Sequence, residues 1–255
     1  MSTTLTFSRF LATAPGLQLT QWESERFKSE TADVFGYDAL QVGLPDFDTL
    51  IVNRIARHWI TVCDESNGAN IGEARRAVVA HPTELPFDNE TFDLVTLPHT
   101  LDVAREPQHV LREAVRVLCP EGRLVLALFN PLSLWWLRQK RISLGAKPYL
   151  PSTVHPIALP RIKDWFGLLG LHIDRGYFGL YTPACTSRAS FEHWAWLNKA
   201  GDRWAPQCAN LVILSAVKRV ANIKLVGRID TIKKTPPLIP GAARCGAPSR
   251  KTPVQ

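Results

Sequence analysis

No run among the 255 residues is long and apolar enough to span a bilayer, and the N-terminal segment has Arg9 but no apolar stretch leading to a small-residue cleavage site. Those two absences lead to the expectation of a cytoplasmic protein with no membrane partner. The five cysteines (Cys63, Cys119, Cys185, Cys208 and Cys245) include no C-x-x-C pair and have no histidine at short ligand spacing. That pattern argues against a disulfide framework or a zinc knuckle, so buried thiols and no metal site are expected. Acidic residues are nearly missing from Ala221 to Gln255, where seven basic residues face a single acid, Asp230. Nearly all of the formal charge of +7 therefore sits in that segment. The rest of the chain is close to neutral and implies no phosphate-binding face, which disfavours nucleic acid as a partner.

What is present is most ordered between Val78 and Pro131. Val78 and Val79, Phe92 to Leu97, and Arg123 to Phe129 are short continuous apolar runs without the alternation of a half-solvated strand. Runs buried on both faces belong to a parallel sheet covered by helices. Between the second and third, Val110, Leu111, Ala114, Val115 and Leu118 recur at helical spacing, with Gln108, Arg112, Glu113 and Arg116 facing away. Pro107 suits a first helical position, and Pro120 with Gly122 ends the helix. The unit is a strand, a helix and a parallel strand joined by a right-handed crossover. In open sheets of this kind ligands sit beyond the carboxyl ends of the strands, here His81 to Glu84, Pro98 to Asp102 and Asn130 to Leu134.

The string HPTELPFDNETFDLV, followed by HTLDVAREPQHVLREAVRVLCPEGRLVLALFNP, resembles the middle of a class I S-adenosylmethionine-dependent methyltransferase domain of the type 11-like group. Leu85, Pro86 and Phe87, then Phe92, Asp93 and Val95, then Arg116, Val117, Leu118, Pro120 and Gly122 fall on the pattern of that group in order. With its flanks the resemblance covers roughly residues 40–217. It implies an α/β, Rossmann-like class I methyltransferase sheet, mostly parallel with an antiparallel last strand and helices on both faces. It also implies S-adenosylmethionine as cofactor.

Carried over residue by residue, the resemblance places cofactor contacts at Gly43, Asp64, His81, Leu85 and Pro98. In the family a G-x-G-x-G loop after the first strand lets backbone approach the methionine part of the cofactor. This chain has Gly43-Leu44-Pro45-Asp46 there, and Gln41 stands where an acid often lies. The glycine-rich loop is thus degenerate, and Pro45 removes one backbone donor. Asp64, at the end of the second strand, matches the carboxylate that accepts from the ribose hydroxyls, and it is equally ordinary turn chemistry. His81 and Pro82 replace an acid and a small residue at the adenine. A neutral histidine accepts through one ring nitrogen, or it is a solvent-facing loop residue. The Leu85-Pro86-Phe87 turn shapes the adenine side. Pro98 and His99 stand beside the transferable methyl group, with His99 as the candidate catalytic base or as a histidine held by backbone at a strand end.

The flanks complete the organisation. Residues 1–38 read as an arm, broken at Pro15 and Gly16, followed by a charged helix from Gln21 to Val34 that is either a lid or an edge helix. A helix-like stretch around Phe47 to Arg57 leads to the strand Trp59 to Cys63. Trp135 and Trp136 form an apolar acceptor pocket or wedge their loop against the core. Phe191, Trp194, Trp196 and Leu197 read as an apolar helical stripe. The domain spans 39–220, and 221–255 is a basic, proline-rich tail expected to be disordered. The expected activity is methyl transfer to a small apolar or aromatic acceptor, so a small-molecule substrate is the expected partner, with a protein partner also compatible. A non-catalytic binding or regulatory protein that keeps the fold is the alternative. The N-P-P-Y or D-P-P-Y string of adenine-modifying relatives is missing, since Asn130-Pro131-Leu132-Ser133 is not one.

Overall fold

The computed structural model describes residues 7–63, 75–141 and 148–219. Seven strands form one sheet: β1 (Asp38–Val42), β2 (Arg57–Val62), β3 (Arg75–Val79), β4 (Phe92–Pro98), β5 (Leu118–Phe129), β6 (Leu171–Gly179) and β7 (Leu211–Lys218). Their spatial order is β3-β2-β1-β4-β5-β7-β6. Strands β1 to β5 run parallel, and β7 is antiparallel to both β5 and β6. The mostly parallel sheet with an antiparallel end is the one expected. The order reverses between β1 and β4, which opens a crevice at their carboxyl ends.

Both sheet faces are buried because neighbouring strand residues alternate between two cores. On one face Leu40, Val95, Leu97, Leu124 and Leu126 pack against Val110, Leu111 and Ala114 of α4 (Pro107–Val117) and Ile162 and Phe166 of α6 (Leu159–Leu168). On the other, Ala39, Leu94, Val125, Ala127 and Ile213 meet Phe27 of α2 (Ala14–Thr31) and Phe47, Leu50 and Ile55. A third cluster closes the carboxyl end of β5, where Phe129 meets Phe10 of α1 (Phe7–Leu11) and Trp135 of α5 (Leu134–Lys140). The remaining helices are α3 (Thr100–Val103), α7 (Arg188–His193) and α8 (Trp196–Trp204).

Four expectations are corrected. The N-terminal segment is helical far earlier than Gln21, because Thr13 caps α2 and Pro15 occupies its first turn, where a missing N–H costs nothing. The stretch from Phe47 to Arg57 contains no helix. Its backbone is diverted into turns in which Asp48 Oδ1 accepts from Leu50 N–H and Asn53 Oδ1 from Ile55 N–H. The expected stripe around Trp196 breaks into α7 and α8, and α8 buries none of its residues, with Trp196 and Trp204 exposed. The described cysteines are not buried: Cys63 and Cys208 are exposed and Cys119 and Cys185 half-buried. Asp64 and the segment 221–255 lie outside the described residues, as does Cys245.

Candidate functional site

The carboxyl ends of β1 to β4 open into a cavity of about 630 Å³. Gly43 to Asp46 line it from β1, Cys63 from β2, His81 to Thr83 from β3, and Pro98 to Thr100 from β4. Val103 to Glu106 and Val110 form a side wall, and Phe7 and Ser8 of α1 close the remaining side. Of the residues singled out in the sequence, Gly43, His81, Pro98 and His99 are brought together here. Leu85 is not in the lining. It is buried in the core beneath, with its N–H donating to Glu113 and its carbonyl accepting from Arg116.

The β1 loop is built around Gln41. This side chain is fully buried, and its Nε2 lies 3.1, 2.9 and 2.7 Å from the carbonyl oxygens of Gly43, Leu44 and Phe47. Its Oε1 accepts from the N–H and hydroxyl of Thr49 at 3.1 and 2.9 Å, and the Thr49 hydroxyl is 2.7 Å from that of Thr96. A carboxylate at position 41 has no proton to offer those carbonyls. Gln41 is therefore matched to this loop. Gly43 takes φ +78° and Leu44 φ +47°. The first suits glycine; the second places a branched side chain in the left-handed region, a strain on the order of 1 kcal/mol. Gly43 also lies against Thr100, whose Oγ1 donates 2.5 Å to the carbonyl of Val42 and would be 3.4 Å from an added Cβ.

At the end of β4, His99 turns the chain in the left-handed region at φ +52°. Its ring is 99% shielded and stacks on Phe129, with centroids 4.3 Å apart. Nε2 lies 2.7 Å from Glu23 Oε1 of α2, and Nδ1 lies 2.9 Å from Asp102 Oδ2. The same Asp102 oxygen accepts from Phe129 N–H at 2.8 Å. Burial alone pulls the imidazole pKa down, but the charge of Glu23 and the hydrogen bonds to Asp102 and Glu23 reverse this and hold it at about 9. Burial raises the Asp102 carboxyl, an effect opposed by His99 and the Phe129 amide. Two hydrogen bonds at two ring nitrogens take two protons shared among the three groups. Together they carry one net negative charge. Both nitrogens are occupied, so at neutral pH this ring has no free lone pair with which to act as a base.

At β3, His81 Nδ1 accepts from Thr83 N–H at 3.4 Å and is 2.6 Å from the Thr83 hydroxyl. In the neutral ring the proton then sits on Nε2, which becomes a donor. Burial raises the Cys63 thiol pKa, so the sulfur at the rim stays protonated and inert. Trp135 does not line the cavity. It is fully buried and donates from Nε1 to the carbonyl of Thr182, which makes it a wedge.

Sequence reasoning missed the roles of Gln41, Glu23, Asp102 and Arg116. Arg116 was expected to face away, yet its guanidinium donates to the carbonyls of Leu85 and Phe87 and to Asn89, and ion-pairs with Glu113. The signal for Glu23 was its place on the apolar side of α2 with Phe27 and Glu30, which a charge reading alone hides.

Residues 55–126 match the family model described as a methyltransferase domain. Over 142 residues the chain is 32% identical to the uncharacterized protein YafS of Escherichia coli, covering 55% of each protein. A ubiquinone/menaquinone biosynthesis C-methyltransferase of Cereibacter sphaeroides is 29% identical over 132 residues, covering 46% of this chain and 50% of the relative. The chain thus spans about half the length of these curated relatives. Among solved structures, the geranyl diphosphate C-methyltransferase of Streptomyces coelicolor, crystallised with S-adenosylhomocysteine, is similar in fold. Its TM-score is 0.55 at 14% identity, covering 83% of each chain.

Proposed function

We propose that the chain is a class I methyltransferase that binds S-adenosylmethionine in the cavity above β1 to β4 and methylates a small apolar or aromatic acceptor. The position of that cavity, over the carboxyl ends of four parallel strands at the order reversal, carries the reading. The residues fit the cofactor in three respects. Gly43 offers a close backbone approach at a φ of +78°, a conformation that any side chain would strain. His81 Nε2 presents a donor suited to a purine ring nitrogen. The shared negative charge of Glu23, His99 and Asp102 adjoins the lining and favours a cation.

The cofactor, when bound, supplies an electrophilic methyl group on a sulfonium. This chain's residues then have to hold, align and dry the site. Phe7 stacks near His99, at 5.4 Å between centroids, and closes the cavity on the α1 side with an apolar ring. Pro98 forms a rigid floor with no N–H to satisfy. We assign His99 a positioning role, in which its bonds to Glu23 and Asp102 fix α2 and α3 around the methyl site. Asp64 follows Cys63 of the lining directly in sequence, and we propose it as the ribose acceptor.

An acceptor of quinone or phenol type is compatible with this site, in keeping with what the Cereibacter relative is named for. Calorimetric titration with S-adenosylmethionine is expected to give a Kd in the micromolar range, about −8 kcal/mol. Asp64→Ala is expected to weaken it roughly tenfold, as the loss of a charge-assisted bond does. Transfer of labelled methyl to a panel of hydroquinones and phenols then tests the reaction. Cofactor binding without transfer to any acceptor would favour the non-catalytic alternative, and absence of binding would overturn the proposal.

A further inference from the structure

We infer that Gln41 is a specificity-determining positioning residue. By drawing three loop carbonyls inward, it turns the opposite side of the peptide chain toward the cavity as a receptor for the amino-acid half of the cofactor. This rests on the cofactor reading above and goes beyond it. The inference explains how a loop that has lost two glycines and gained a proline can still serve a zwitterionic group.

The argument is one of peptide geometry. In a planar trans peptide the N–H points opposite to the C=O of the preceding residue, and the described chain has no cis bonds. The Gly43 carbonyl is held by Gln41 Nε2, so the N–H of Leu44 points away from Gln41. Among the described residues that N–H has no partner, and Leu44 lines the cavity. The Phe47 N–H turns back to the Leu44 carbonyl, so the Asp46 carbonyl, in the same peptide, points the other way. One donor and one acceptor, both without a partner among the described residues, are thus turned out within three residues. A carboxylate and an ammonium on one carbon are the groups that fit such a pair. The Leu44 carbonyl, doubly held by Gln41 Nε2 and Phe47 N–H, fixes the peptide that Pro45 would leave without a donor of its own. Proline at position 45 is tolerated for that reason.

Position 41 has a defined chemical requirement. The two Nε2 protons of Gln41 must be shared among three carbonyls at one end, and its Oε1 must accept from Thr49 at the other. Glutamate has the same shape and the wrong polarity. It would place a charge against three carbonyl oxygens in a buried site, and the loop peptides would have to flip. A flipped Gly43–Leu44 peptide shows a carbonyl, not an N–H, to the ligand carboxylate.

The test compares binding of S-adenosylhomocysteine with that of methylthioadenosine, which keeps the nucleoside and sulfur but lacks the amino-acid group. The full-length wild type, Gln41→Glu and Thr49→Val are titrated calorimetrically, with folding followed by thermal melting. In the wild type the first ligand is expected to bind roughly tenfold or more tightly than the second, the effect of one or two charge-assisted bonds. Gln41→Glu should abolish that preference and leave methylthioadenosine affinity within about twofold. Thr49→Val, which frees only the far end of the amide, should reduce the preference partially.

A wild-type measurement guards against a variant that fails to fold. The backbone amide resonance of Leu44 should shift on adding S-adenosylhomocysteine and stay in place with methylthioadenosine. Equal loss of both ligands in Gln41→Glu, unchanged preference in a folded variant, or a Leu44 amide that ignores the amino-acid group would each overturn the inference. If the wild type binds neither ligand, the cofactor reading fails first and this one with it. A wild type that binds both equally refutes the role of the loop alone.

Discussion

At His99 the ordinary expectation for a histidine, a switch near neutrality, is displaced by its two carboxylate partners. Its pKa in the folded protein, about 9, lies above the unfolded value of 6.5. A raised pKa means that the folded state binds the proton more tightly, so its stabilisation is complete below pH 6.5 and is lost as pH climbs through 9. Asp102, also raised, pulls in the same direction at lower pH. The gap at His99 corresponds to about 3 kcal/mol. Melting curves should therefore show a falling midpoint from pH 6.5 to 9 that flattens in His99→Gln. A rate profile governed by a histidine base near pH 6.5 would contradict this placement. Arg116 makes the companion case. Its guanidinium holds the Leu85 and Phe87 carbonyls and Glu113 together, and the Glu113 carboxyl is lowered chiefly by this hydrogen-bonded pair. Arg116→Ala should cost about 2 kcal/mol in chemical denaturation, and Arg116→Lys should restore little, because one ammonium cannot reproduce a planar fork.

The elements around the cavity differ in how far the sequence discloses them. Strands β4 and β5 with α4 were legible because apolar runs and helical periodicity each follow from a single structural requirement, burial on both faces or on one. The N-terminal helices were not. In α2 the buried positions include Glu23, Glu30 and Thr31, since polar pairs join Phe27 in its contacts with the sheet. Glu30 accepts 2.6 Å from the Tyr177 hydroxyl and pairs with Arg175 and Arg123, and Glu23 holds His99. An apolar count cannot see that face. Nor could the loop after β1 be read, because Gln41 signals nothing until the three carbonyls are in place. Those anchors, Glu23 in the middle of α2 and Glu30 in its last turn, hold the helix against the sheet as an edge helix is held. The α1–α2 corner is equally constrained. A Cβ on Gly16 would lie 2.1 Å from the Phe10 carbonyl oxygen, a clash with backbone that no rotamer relieves. Gly16→Ala should push α1 outward, lowering stability by about 1–3 kcal/mol. It should also weaken cofactor binding, since Phe7 and Ser8 leave the cavity with α1. Equal affinity in the variant would show that α1 plays no part in the site.

For the whole molecule, the site and the fold are one cooperative object. The cavity is lined from β1, β2, β3 and β4 at once and closed by α1, so no single element can release its share of a ligand without disturbing the sheet. A ligand bound only by the folded state therefore adds its free energy to global stability. At a hundredfold excess over Kd that is about 2.7 kcal/mol. In a domain of this size it corresponds to a rise in melting temperature of roughly 5–10 °C. The charge map separates this effect from the basic segment. Residues 221–255 hold seven of the Lys and Arg side chains against one acid, while the described lining of the cavity runs from Phe7 to Val110. A chain ending at Val220 should give the same ligand-induced rise and bind S-adenosylhomocysteine with unchanged affinity. It should elute much earlier from a cation exchanger, and any affinity of the full chain for polyanions should fall, with a shallower salt dependence. If the shortened chain loses the ligand-induced rise while still melting cooperatively, the cavity is incomplete without that segment, and the partition of function between body and tail drawn from the charge map is wrong.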